Sequence, residues 1–145
     1  MSEHTPTNRI SEIDRERARL RRLLRSHDAK VLAKRPASGD WSIVENVRHL
    51  LFAEQLHLGH FLRDGFEWNP LGMTQFTARK FAGVGKNPST DVEQVFREWD
   101  AIHKPIRKAV RSVGGDDVDR ALWRNHRHLG IHIRVIEKLL RRAGA

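Results

Sequence analysis

The chain has 145 residues, no cysteine, 27 basic against 18 acidic side chains, and a formal charge of +9. That length suits one domain over residues 1–145, with about two-thirds of the unfolded surface buried around a single core. The missing cysteine excludes disulfides, thiolate ligands and a nucleophilic thiol of the chain's own. No run approaches the roughly eighteen consecutive apolar residues that cross a membrane, and the N-terminus lacks a basic-then-apolar signal pattern, so a soluble cytoplasmic protein with no membrane partner is expected.

Helical periodicity, the absence of sustained two-residue alternation and the absence of tyrosine predict an all-α chain. Residues 1–7 are expected to be disordered. Ile10, Ile13, Leu20, Leu23 and Leu24 recur at helical spacing, the pattern resumes with Val31 and Leu32, and Pro36 stops it, which predicts a first helix from about 8 to 34. Arg15, Arg17, Arg19, Arg21, Arg22 and Arg25 crowd its surface, and Arg124, Arg127, Arg134, Arg141 and Arg142 form a second cluster near the other end. An anion-binding face is one reading and a solvated face the other. Glu12, Asp14 and Glu16 lie among the first cluster with no aromatic to stack on bases, so nucleic acid is not the expected partner.

Asp40-Trp41-Ser42 opens a second helix running to about Arg63, with Ser42 and Glu45 forming a capping box. His49 shares a face of this helix with Ala53, Leu56 and His60. Gly65, Pro70, Gly72, Gly83, Gly85 and Pro88 then punctuate a long connection over 65–89, with a short helical turn predicted at 74–81. Its Trp68, Phe76 and Phe81 could cover a site or pad an interface. Thr90 and Glu93 form a second capping box ahead of Val92, Val95, Phe96, Trp99, Ile102, Ile106 and Val110, a third helix that Pro105 should bend near Ala101.

After Gly114-Gly115, Asp116 or Asp117 can cap a fourth helix whose stripe is Val118, Leu122, Asn125, Leu129, His132, Ile136 and Leu139. These elements predict a four-helix bundle, up-down-down-up, with the long connection crossing over between helices two and three.

His128 and His132 stand four residues apart, so both imidazoles share one helical face and can approach one ion. The spacing alone is common, and each histidine has an ordinary reading as a hydrogen-bonded core residue. With His49 in an apolar stretch of helix two, three nitrogen ligands could converge, the minimum for an open metal site. His57, His60, His103, His126 and Glu45 are candidates by type for proton transfer; Arg134 could orient an anion or face solvent, and Trp41 is read as packing at the helix entrance.

The string from Arg35 through Trp41-Ser42 to His49-Leu50, taken with His128-x-x-x-His132-x-Arg134, resembles the DinB/YfiT-like family of metalloenzymes across nearly the whole chain. The resemblance implies a bundle in which His49, His128 and His132 ligate a divalent metal, nickel or zinc first and iron or manganese next, and it implies a homodimer. It also implies a small-molecule substrate and group transfer involving a low-molecular-weight thiol. Val135 stands where many relatives have a glutamine, a departure that removes one expected hydrogen bond beside the metal. The rival readings are a non-catalytic basic bundle that binds nucleic acid or an acidic partner, and a metal-free inactive relative.

Overall fold

A computed structural model describes residues 6–62 and 91–143, and all regular structure among them is helical. Helix α1 spans Pro6–Arg25, α2 Ala29–Ala33, α3 Ile43–Leu58 with a 3-10 turn at Gly59–Phe61, α4 Val92–Val113 and α5 Asp116–Ala143. The 65–89 connection with its predicted turn and its Trp68, Phe76 and Phe81 lies outside the described residues, as do Arg63, Thr90 and residues 1–5.

The first predicted helix divides in two. Ser26 and Asp28 use their side chains on the local backbone, where Ser26 Oγ donates to the Leu23 carbonyl (3.1 Å) and Asp28 Oδ1 accepts from the Lys30 amide (2.9 Å). Such bonds compete with the helical ladder, so α1 ends at Arg25 and Asp28 caps a new helix. The Ser42–Glu45 capping box forms as expected, with Glu45 Oε1 accepting from the Ser42 amide at 2.8 Å and Ser42 Oγ from the Glu45 amide at 3.1 Å. Arg35 adds two bonds to the same carboxylate, at 2.9 and 2.6 Å, tying the approach to α3 onto its first turn. Burial would raise the Glu45 pKa, but Arg35 and Ser42 hold it below the usual carboxylate range.

At α4 the N-cap is Asp91, whose carboxylate accepts from the Glu93 and Gln94 amides. Glu93 does not complete a box; its carboxylate takes Arg21 and Arg25 of α1 at 2.9 Å each. Pro105 sits inside α4 without ending it. Gly114 and Gly115 adopt φ of 61° and 93°, a left-handed pair that lets α5 start at Asp116. The first helical bond of α5 runs from the Asp119 amide to the Gly115 carbonyl, so Asp116 and Asp117 lie inside the first turn rather than capping it.

Helices α1 and α3 each pack on both α4 and α5. Asp14 meets Arg107 while Arg25 meets Glu93, so α1 and α4 run in opposite directions. Asn46 meets His132 while His57 meets Asn125, so α3 and α5 do likewise. The core between them includes Ile13, Leu20, Leu51, Phe96, Trp99, Ile106, Leu122 and Ile133. On α5 the buried positions after Leu129 are Ile133, Ile136 and Leu140, which moves the stripe one residue from the expected His132 and Leu139 and leaves His132 half-buried at its edge.

One polar cluster interrupts this core. Glu54 is fully buried and accepts from Trp99 Nε1 at 3.0 Å and from His103 Nδ1 at 2.7 Å, while His103 Nε2 donates to Asp14. A ring that donates from both nitrogens is an imidazolium. Burial opposes that charge, but Glu54 and Asp14 outweigh it and raise the His103 pKa. The resulting stabilisation is fully present below the ordinary histidine value, about 6.5, and is lost as pH rises through the raised one. Glu54→Gln should therefore lower the unfolding free energy by roughly 3 kcal/mol near pH 6. Urea titrations of both proteins should show that gap narrowing at alkaline pH, and a gap independent of pH would contradict the imidazolium assignment.

Candidate metal centre

Helix α3 presents His49 towards α5, and α5 returns His128 and His132. The ring centroids of His49 lie 5.0 Å from His128 and 4.8 Å from His132, and those of His128 and His132 are 4.5 Å apart. One ring nitrogen from each residue can be chosen so that all three lie within 4.8 Å of one another. Spacing in sequence and placement in space therefore agree for all three predicted residues.

The closest approach is His49 Nε2 to His128 Nε2, at 3.2 Å. Two imidazole nitrogens, each bound about 2.0–2.1 Å from one tetrahedral ion, stand about 3.3 Å apart, so this pair already has the separation that a shared cation requires. The third is set by a side chain that the sequence did not single out. Asn46 is buried, and its amide nitrogen donates to the Ser42 carbonyl at 2.9 Å, so its oxygen faces His132 and accepts from Nδ1 at 2.9 Å. With the proton on Nδ1, the His132 Nε2 carries a lone pair. The donor set fits a divalent ion that prefers nitrogen.

Asn46 also explains the departure at position 135. Val135 is 40% exposed and has no polar group to offer, and the supporting hydrogen bond comes from α3 instead. The signal was present in the sequence: Asn46 lies three residues before His49, on the same helical face, and is polar in an apolar stretch. His49 and His128 have no such support, since their Nδ1 atoms are buried with no hydrogen-bond partner among the described residues.

Burial, with repulsion from its neighbours His132 and His128, lowers the His49 pKa to about 3. His128 falls to about 4 through burial and then His132 and His57, and burial also lowers His132. All three are neutral near pH 7, the state in which imidazole binds a metal. Trp41 forms a wall, its ring 4.8 Å from that of His49, and Phe52 packs at 6.0 Å.

Of the candidates for proton transfer, only His57 borders the cluster, its ring edge-on to His128 at 5.6 Å and its Nδ1 3.1 Å from Asn125 Oδ1. His103 is committed to Glu54 and Asp14, Glu45 to the cap and Arg35, and His126 to Arg9 and Glu12. His60 is exposed against Phe61. The face that His49 was expected to share divides, because Ala53 is buried while Leu56 is 48% exposed. Arg134 is exposed on the opposite side of α5 from His132.

Among the described residues, fold and cluster together define a helical protein with three converging, half-buried histidines from two helices that could hold an ion. A family model described as the DinB superfamily matches residues 12–140, and the chain belongs to that superfamily. No curated protein and no solved structure matches it.

Because folding keeps these imidazoles neutral, the metal-free protein should lose stability as pH falls below about 6.5 towards the lowered values. A His49→Leu/His128→Leu variant removes that penalty. Thermal unfolding in chelator should show it at least as stable as the wild type at pH 7 and increasingly more stable towards pH 5. An unchanged pH dependence would contradict the neutral cluster.

Proposed function

We propose that the protein is a metal-dependent enzyme in which His49, His128 and His132 hold a divalent ion, nickel or zinc before iron or manganese, next to a small-molecule substrate. The reading is carried by one observation: nitrogens from three histidines on two helices gather within 4.8 Å, and the His132 tautomer is set by a buried asparagine. Membership of the DinB superfamily supports it.

The bound ion would supply Lewis acidity, drawing the pKa of a thiol or water held there towards neutrality. The chain's own groups would do the rest. Asn46 keeps the His132 proton on Nδ1, Trp41 and Phe52 shield His49 from water, and His57, aligned by Asn125, stands where it can take a proton from an incoming nucleophile. With no cysteine in the chain, sulfur chemistry would enter with the substrate, and group transfer involving a low-molecular-weight thiol is the specific reaction proposed.

We place the site in a single domain with up-down-down-up order, supported by the opposed directions of α1 with α4 and of α3 with α5. A cytoplasmic homodimer completes the proposal; no helix among the described residues is long and apolar enough to cross a membrane.

Elemental analysis of protein purified without an affinity tag should find one divalent ion per chain, lost in His132→Ala. Asn46→Ala should keep the helical content and weaken metal affinity by about 10- to 100-fold. Absence of metal from the wild type, with no thermal stabilisation on adding nickel or zinc, would favour the metal-free inactive relative.

A further inference from the structure

The two arginine clusters have different fates. On α1, four of the six, Arg17, Arg19, Arg21 and Arg25, are each paired with a carboxylate of Asp100, Glu16 or Glu93, while Arg15 and Arg22 are exposed. On α5, Arg124, Arg127, Arg134, Lys138, Arg141 and Arg142 are all exposed, and none has a carboxylate partner among the described residues. At 3.6 residues per turn, the six fall within about a third of the helix circumference and extend over about 27 Å. The nearby Glu137 leans away to Arg19 of α1 at 3.5 Å. Like charges held this close repel one another, so the face is matched to a partner that carries many negative charges.

Apolar groups interrupt the stripe. Trp123 is 50% exposed with the Arg127 guanidinium 5.5 Å above its ring, and Ile131 and Val135 are each 40% exposed. Beside its C-terminal end opens a cavity of about 420 Å³, walled by Val31, Ile43 and Leu139 and flanked by Lys34 and Arg142. A phosphodiester backbone offers nothing to Ile131, Val135 or an apolar-walled cavity. A lipid surface offers both phosphates for the cations and hydrocarbon for the apolar groups.

We propose that this face of α5, together with the adjoining cavity, docks on the surface of an anionic phospholipid bilayer. The expectation of no membrane partner rests on the missing spanning segment, and a peripheral contact needs none. The predominance of arginine suits bidentate bonds to phosphate, and Trp123 lies where an aromatic ring settles at the headgroup level.

Sedimentation of the full chain with vesicles of phosphatidylcholine, with or without phosphatidylserine, tests the proposal. Binding should require phosphatidylserine and fall with added salt. Arg127→Gln/Arg134→Gln/Lys138→Gln should weaken it about 100-fold. The same loss of charge elsewhere, in Arg15→Gln/Arg22→Gln/Lys108→Gln, should leave it within about threefold of the wild type, because surface attraction fades within a Debye length. Ile131→Ser/Val135→Ser, which keeps every charge, should weaken vesicle binding but not binding to a DNA duplex. All these positions are exposed, and circular dichroism will confirm that each variant is folded. Failure to bind phosphatidylserine vesicles, an equal loss in both triple variants, an unaffected serine variant, or tighter binding to the duplex than to vesicles would each overturn the proposal.

Discussion

Asn46 can offer its oxygen to His132 because its amide nitrogen is already committed to the Ser42 carbonyl, and the geometry of the site depends on that single orientation. The chain of causes begins outside the helix. Arg35 holds Glu45, Glu45 and Ser42 close the capping box, and the box fixes the first turn of α3 from which Asn46 and, one turn later, His49 project. A polar residue in this first turn thus couples the start of one helix to the tautomer of a histidine on another. Loss of a hydrogen bond that far from an ion can still disturb it, because it frees the ring to rotate and to exchange its proton.

The same side chain serves two opposite purposes on the two sides of α3. Towards α5, His49 and His128 are half-buried beside other imidazoles, so desolvation and mutual repulsion keep them neutral, with pKa values of about 3 and 4. Towards α4, His103 is buried between two carboxylates and is held charged. What decides between these outcomes is the company each ring keeps, since burial opposes the charge on all three, most deeply at His103. The charged cluster fastens α1, α3 and α4 to one another, leaving the α3–α5 seam as the place where lone pairs remain available.

Much of this was legible in the sequence. The Ser42–Glu45 box and the apolar spacing predicted α3, and the placement of His49, His128 and His132 in apolar stretches predicted their convergence. What escaped notice depended on competition or on long-range pairing. The break at residues 26–28 arises because Ser26 and Asp28 win backbone groups from the helix, a local contest that hydrophobic periodicity does not register. Glu93 looked like a capping residue but is drawn to Arg21 and Arg25, 72 and 68 positions away. The Asp14–His103–Glu54 cluster joins three helices, and no spacing along the chain announces it. The shift from His132 to Ile133 on the α5 stripe reflects the difference between 3.5 and 3.6 residues per turn, which accumulates along a 28-residue helix.

X-ray absorption spectroscopy of the nickel- or zinc-loaded protein addresses the central claim most directly, because it counts the atoms around the ion. Convergence of the three histidines predicts three imidazole nitrogens at about 2.0–2.1 Å with the outer-shell scattering of their rings, the remaining positions being filled by light atoms. A first shell holding fewer than two imidazoles, or one unchanged in the His49→Leu/His128→Leu variant, would contradict it.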